Sequence, residues 1–326
     1  MKLPRRTFLH LATGAVALPA VSCVAWAQAY PTRPVRMIVP FAPGGQNDAI
    51  GRLIAQKLSE HFGKQYIIEN VGGGGGVVGT VRAAQASHDG YTLLVMDTGF
   101  VINPHVYPKV AYDPFKDFDP ISVAVTTTQV LTVTPSLPVQ TVRELVDLVK
   151  ANPGKFSYAS PGIGTPGHMT AELFRVSLGL DLVHVPFNGA GPAVASTIGG
   201  HTPIAFGSPA SSIAQVKDGK LRGLAVASGK RLLALPDVPT MAQAGFADID
   251  VEFWIGIFAP VGTPRDVIVL LNREIDKAVA LPDVRQRLDA LGFEPAAIKL
   301  ADSAAKLRSE SVKWAKVVQA AGIKVE

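Results

Sequence analysis

Residues 35–41 form a short apolar run rich in β-branched side chains, the pattern of a buried strand. Ile50, Leu53, Ile54 and Leu58 then recur on one stripe of a 3.6-residue period, the pattern of an amphipathic helix. Between the two lie Phe41, Ala42, Pro43, Gly44 and Gly45, with Asn47 or Asp48 placed to cap the helix and Gly63 to end it. The same design returns at 156–178, where a strand is followed by Pro161, Gly162, Gly164, Thr165 and Gly167, and then by a helix stopped by Gly179. There Thr165 reads as the N-cap and Pro166 as the first helical residue.

The rest of the chain alternates in the same way. Strands are predicted at 65–70, 91–97, 182–187, 203–208 and 221–227, with helices at 77–86, 192–198 and 211–217 between them. A β-branched run at 121–134 is long enough for two strands, one of which crosses between domains, and 251–260 reads as a strand returning to the first domain. Thr141 caps a helix with the stripe Val142, Leu145, Val146 and Val149, and three helices at 264–280, 283–291 and 302–321 close the chain. The stretch 103–118, rich in Pro and aromatic residues, reads as an irregular connection after the third strand ends at 98–100. This alternation predicts an α/β protein with a mainly parallel sheet.

The two glycine loops share one chemical trait. No Lys or Arg lies between Met37 and Gly51, and no charged residue between Ser157 and Ala171. A helix start offers free N–H groups and a positive dipole end. Two such loops, with the Ser160 and Thr165 hydroxyls, suit a carboxylate held from both sides of a cleft. Thr98 and Gly99, at the end of the third strand, reach toward the same cleft. His168 at the second helix start, the loop residues Asn188 and Gly189, and the strand end Gly207 and Ser208 complete the candidate ligand set. Asp48, being an anion, reads as a cap or as a partner for an amine or hydroxyl elsewhere on the ligand.

Residues 1–27 read as a cleaved export signal rather than as fold. Lys2, Arg5 and Arg6 precede an apolar run at 8–24 and the small-x-small triplet Ala25-Trp26-Ala27. Arg5-Arg6 with Phe8 and Leu9 has the form of a twin-arginine signal; a Sec signal, or lipidation at Cys23, are the alternatives. The whole chain carries a formal charge of +5, and without those residues, which hold three basic groups and no acid, the balance is +2. That small excess gives no footprint for nucleic acid. The single cysteine also falls in the signal, so no disulfide is expected in the mature chain. Hydrophobic residues make up 48% of the chain and charged residues 17%, which implies large buried cores.

Other chemistries find little support. Gly74-Gly75-Gly76-Val77-Val78-Gly79, with Asp97 ending the next strand, matches a dinucleotide-binding fingerprint, and an exported NAD(P)-dependent oxidoreductase is therefore the alternative function. A five-glycine run meets many patterns by chance. Tyr158-Ala159-Ser160-Pro161-Gly162 misses the nucleophile elbow by its first glycine, Ser303 and Lys306 sit on an amphipathic helix, and the seven histidines are scattered. No phosphate-binding Gly-Lys-Ser/Thr motif is present. No catalytic residues, metal or cofactor are expected.

Several stretches together resemble the extracytoplasmic solute receptors of the tripartite tricarboxylate transporter family, also called Bug proteins. They are Val39 to Gly45 with Asp48, Glu69-Asn70 with the glycine run, Asp89-Gly90-Tyr91, Tyr112-Asp113-Pro114-Phe115, Tyr158 to Thr165, Leu235-Pro236-Asp237 and Ala259-Pro260-Val261. The resemblance covers nearly all of the chain after the signal. It implies a type II periplasmic binding-protein fold, with two α/β lobes joined by crossing strands and the ligand cleft between them. It places residues 28–126 and 254–326 in lobe 1 and 127–253 in lobe 2. It further implies a monomeric periplasmic receptor, not an enzyme, that grips a small carboxylate in the two loops for tripartite transport or for sensing, with the transporter's membrane subunits or a sensor kinase as partner.

Overall fold

A computed structural model describes residues 30–296 and 298–323. The export signal read at 1–27, with Cys23, lies outside the described residues. The first sheet is built from β1 (Val35–Val39), β2 (Tyr66–Asn70), β3 (Thr92–Asp97), β4 (Phe118–Thr127), β10 (Phe253–Pro260) and β11 (Phe293–Pro295), in the order β11-β4-β10-β3-β1-β2. The second contains β5 (Val130–Val133), β6 (Phe156–Ser160), β7 (Leu182–Pro186), β8 (Ile204–Gly207) and β9 (Arg222–Val226), in the order β7-β6-β8-β5-β9. Each sheet is flanked by helices and has its own buried core. Met37, Val95 and Ile257 centre one, and Leu131, Tyr158 and Phe206 the other.

The sheets are mixed rather than mainly parallel. β1 pairs in parallel with β2 and β3, and β6 with β7 and β8. Every pairing made by β4, β5 and β10 is antiparallel. These are the strands next to the points where the chain changes sheets, and a strand that arrives from the other lobe is not bound by the βαβ crossover rule. The passages are short where they meet. Thr128 Oγ1 donates to the Ala227 carbonyl at 2.7 Å, Ala227 N to the Gln129 carbonyl at 2.8 Å, and Val251 N to the Ala227 carbonyl at 3.0 Å. The connecting segments thus hydrogen-bond to each other between the two sheets.

The helices follow their sequence signals closely in most places. α1 (Gln46–Phe62) ends at Gly63 in the left-handed region, φ 64°, with its N–H on the Ser59 carbonyl. α4 (Val142–Lys150) is capped by Thr141, whose hydroxyl accepts from Glu144 N at 3.1 Å while the Glu144 carboxylate accepts from Gln140 N. α2 (Val77–Ala84), α5 (Pro166–Leu178), α6 (Ala190–Ile198), α7 (Pro209–Lys217), α8 (Arg265–Ala280), α9 (Pro282–Leu291) and α10 (Leu300–Ala321) complete the predicted set.

One helix was not predicted. α3 (Gly99–Val106) runs from the expected end of the third strand into the expected irregular connection, despite Pro104 inside it. Its buried positions Phe100, Val101, Ile102, Asn103 and Val106 show no polar face, so no amphipathic period marks it. Tertiary burial outweighs the weak local propensity. Ile102 and Val106 share a cluster with Phe174 of α5 and with Trp314 and Val318 of α10, while Leu307 of α10 packs with Ile38 and Trp254 of the first sheet. α10 therefore lies against both cores.

Trp314 stacks on Phe253 at 5.0 Å between ring centres, and its indole N–H donates to Glu310 at 3.0 Å. Replacing it removes a fully buried side chain from the join of the two cores. Trp314→Ala is expected to cost about 3–5 kcal/mol in urea unfolding. A loss under about 1 kcal/mol would show that α10 does not brace the fold.

Candidate functional site

The carboxyl ends of β1 and β3 face those of β6, β7 and β8 across the gap between the sheets. Five helices begin there: α1 after Gly45 and α3 after Thr98 on one side, and α5 after Thr165, α6 after Gly189 and α7 after Ser208 on the other. Ligands of open α/β sheets bind at such strand ends. The first intrahelical bond of α1 runs from Ala49 N to the Gly45 carbonyl, and that of α5 from Met169 N to the Thr165 carbonyl. The amides of Gln46, Asn47, Gly167 and His168 precede those bonds and have no partner within their helices.

The lobes are closed on each other around a cavity of about 30 Å³. Phe41, Gly45, Gln46, Asn47 and Asp97 line it from one side; Pro161, Thr165, Pro166, Gly167, Ala190 and Ser208 line it from the other; Gln129 comes from the crossing segment. A space of this size admits a solute only when the lobes separate. The sole charged group in the lining is the Asp97 carboxylate. Burial pushes this carboxyl above the usual carboxylate range, against the opposing pull of hydrogen bonds from Gln46, Gly99 N and Asn47.

Phe41, Gly45, Thr165, Gly167 and Ser208, expected from the sequence, are thus among the lining residues. A second group of expected residues forms the seam around the cavity, where backbones from the two lobes meet. A Cβ on Gly189 would stand 3.1 Å from the Ala42 methyl, and one on Gly191 3.7 Å from the Pro43 carbonyl. A Cβ on Gly162 would stand 3.2 Å from Gly75 Cα, and one on Gly75 would collide with the Ile163 carbonyl. Gly99 lies close to the Gly164 carbonyl, and Gly72 to that of Asn188. Tyr107 closes the same seam by donating to the Ile163 carbonyl at 3.2 Å.

The remaining expected residues hold the loops in place and do not line the cavity. Asp48 is neither a cap nor a cavity residue, because the helix begins earlier, at Gln46, with Gly45 as N-cap. Its carboxylate accepts from Gly44 N at 3.1 Å, Arg52 Nε at 2.9 Å and Asn70 Nδ2 at 3.0 Å. Asn70 also donates to the Phe41 carbonyl at 3.0 Å, so Asp48 and Asn70 together fix the glycine loop to the end of β2. Asn47 likewise makes no cap. Thr98 ties β3 to β10, its hydroxyl accepting from Trp254 N at 3.0 Å. Thr165, which lines the cavity, also steadies its own loop: it holds the N-cap position, but its hydroxyl donates to the Gly162 carbonyl at 2.6 Å and makes no cap bond. Gly207 gives room to Ser212, whose hydroxyl would stand 2.6 Å from an added Cβ.

Ser160 Oγ lies 2.6 Å from His184 Nε2, and His184 stacks on His168 at 4.2 Å. Burial pushes both rings down, His168 to about 3 and His184 to about 4, so both are neutral at pH 7. Gly164 N donates to His168 Nδ1 at 3.2 Å. Ser160 is fully buried and off the cavity, so this Ser-His pair shapes the second loop from behind. The glycine run serves close packing within its lobe: added Cβ atoms on Gly76 and Gly79 would strike Phe41, Met96 and Pro40. Among the described residues no three His, Cys, Asp or Glu side chains group as metal ligands.

Sequence reasoning missed Gln46, Asn47, Asp97 and Gln129 as cavity residues. Gln46 and Asn47 lay inside the loop singled out, but attention went to its glycines. Asp97 figures in the sequence only as the strand-ending acid of the weak dinucleotide match. Gln129, a long amide in a β-branched run, was the available signal for the crossing segment.

Two α/β lobes joined by crossing segments and closed over a cavity at their strand ends define a solute-binding protein. Comparison with known proteins agrees. The profile described as "Tripartite tricarboxylate transporter family receptor" matches residues 50–323. The BugT protein of Bordetella pertussis is 32% identical over 320 residues, covering 98% of this chain and 97% of that protein. Rpa4515 of R. palustris, solved with adipate, is 33% identical with a TM-score of 0.88, covering 91% of this chain and all of the other. MatC from Rhodopseudomonas palustris, solved with bound malate, is 31% identical with a TM-score of 0.84, covering 89% and 100%. The chain belongs to the tripartite tricarboxylate transporter receptor family, and its fold is that of the periplasmic binding proteins.

The Asp48 brace has a pH signature. Burial alone would raise this carboxyl, but the bonds from Arg52, Asn70 and Gly44 N outweigh it and hold the pKa below its ordinary value. A depressed folded pKa contributes stability that is present above the unfolded value, about 4, and is lost as pH falls through the folded value. The stability gap between wild type and Asp48→Asn should therefore be constant near neutrality and shrink below about pH 4. A gap unchanged from pH 7 to pH 3 in thermal unfolding would contradict this.

Proposed function

We propose that the protein is a periplasmic receptor that captures a small carboxylate between its lobes and releases it unchanged. The observation that carries this reading is the convergence of α1 and α5, from opposite lobes, on one cavity whose lining contains no Lys or Arg. Unpaired amides at a helix start attract an anion, and exclusion of water on closure strengthens them. The relatives solved with adipate and malate support the same ligand class.

In this reading lobe 1 comprises residues 28–126 and 254–326, and lobe 2 residues 127–253. The ligand set is Gly45, Gln46, Asn47, Asp97, Thr165, Gly167 and Ser208, with the seam residues Ala42, Pro43, Gly162, Gly164, Asn188 and Gly189 sealing it. Opening and closing turn about the segments near Thr128 and Ala227. The closed form, acting as a monomer, presents a joined surface to the membrane subunits of a tripartite transporter or to a sensor kinase. The signal at 1–27 accounts for export to the periplasm, and no cofactor is involved.

The test is a thermal-shift screen of mono-, di- and tricarboxylates, amino acids and aromatic acids, followed by calorimetry on the hits. At least one carboxylate should raise the melting temperature in a saturable way, and NAD(P) should not. Gly45→Val supplies the control. Its backbone angle, φ −89°, suits any residue, but the added branches reach toward Ala190 of the other lobe, whose methyl stands 3.5 Å from a Cβ there. The variant should keep its ligand-free melting temperature and lose at least about tenfold in affinity, since binding is tied to closure. Normal affinity in Gly45→Val would place the ligand elsewhere.

A further inference from the structure

Backbone amides explain how an anion is held, but they leave Asp97 unexplained, because a buried carboxylate repels the anion it borders. Its Oδ2 accepts from Gln46 Nε2 at 2.9 Å and from Asn47 Nδ2 at 3.0 Å, and its Oδ1 from Gly99 N at 2.9 Å. These bonds fix which way the two amides point, since only their nitrogens can face a carboxylate. Their oxygens are turned elsewhere. Gln46 Oε1 and Asn47 Oδ1 are both buried and have no hydrogen-bond partner, although the residues line the cavity at 8% and 2% exposure. An unpaired buried acceptor is a standing cost. Asp97 has no ion-pair partner among the described residues.

The residues on one side of the cavity therefore bring together a carboxyl group and two amide oxygens without donors, all buried while the lobes are closed. A small group with several N–H donors and a positive charge satisfies all three. We propose that the ligand carries an ammonium group as well as a carboxylate, and that Asp97, with Gln46 Oε1 and Asn47 Oδ1, receives it. This rests on the carboxylate-receptor reading and narrows it from organic acids to amino acids. The division of labour is chemical: helix-start amides take the carboxylate, and side-chain oxygens take the ammonium. The competing arrangement is a protonated Asp97 that donates to a second carboxylate, which burial of the group would favour.

Matched ligand pairs separate the two. Aspartate with succinate, glutamate with glutarate, and 4-aminobutyrate with butyrate each differ by one amine. In calorimetry at pH 7, the amino member of at least one pair should bind about tenfold or more tighter than its partner, the strength of a charge-assisted hydrogen bond. Asp97→Asn should abolish that preference, the amino member losing about tenfold or more affinity relative to its deaminated partner. The substitution is near-isosteric, and the Gln46 and Asn47 amides can turn to accept from the new amide. Thermal unfolding without ligand checks that the variant folds. Gln46→Met, which deletes Oε1 together with the Nε2 donor to Asp97 and keeps the carboxyl group, should narrow the preference without abolishing it. Equal binding within every pair overturns the proposal, as does tighter binding of a dicarboxylate that strengthens at pH 5. If amines add nothing, or if no member of any pair binds while another carboxylate does, only this inference fails; if no carboxylate in the wider screen binds, the carboxylate reading fails with it.

Discussion

The structure depends on backbone N–H groups that helices cannot satisfy themselves. Each helix leaves its first amides without an internal partner. Here α1 and α5 point those amides from opposite lobes into one small cavity. In water such groups cost little and attract weakly. Enclosed by the other lobe they need a partner, and an anion of the right size supplies it. Placing the site between two sheets thus makes binding and closure a single event, as the absence of cationic side chains from the lining requires.

Closure in turn dictates the glycines. Gly75 meets the Ile163 carbonyl, Gly162 meets Gly75, and Gly189 meets Ala42. Side chains at these points would hold the lobes apart. A glycine-rich loop beside a helix start suggests phosphate binding, yet most of these glycines lie where backbone meets backbone. Asp48 serves the same end from below, holding Gly44 and, through Asn70, the Phe41 carbonyl in fixed positions.

Much of this was legible in the sequence because it is local. The Thr141 cap, the Gly63 stop, the Pro166 start and the apolar stripe of α1 are properties of a few neighbouring residues. Both glycine loops announced themselves by composition, and the family motifs fixed the fold. What was not legible depends on partners distant in the chain. Periodicity gives a strand but not its direction, so the antiparallel pairings of β4, β5 and β10 were missed. α3 lacks a polar face and contains Pro104, so only its buried surroundings make it a helix. Asp97 reads as an ordinary strand-ending acid until Gln46 and Asn47, some fifty residues earlier, are seen to turn their amides toward it.

The long terminal helix α10 touches the cores of both lobes, through Leu307 on one and Trp314 with Val318 on the other, and contributes no residue to the cavity lining. Its packing therefore enters the balance between open and closed forms rather than any ligand contact. Apparent affinity is intrinsic affinity scaled by the fraction of molecules competent to close. Altered packing along α10 multiplies affinity for every ligand by one common factor and leaves their ratios untouched. Selectivity would then belong to the cleft, and a change in this helix would alter sensitivity alone.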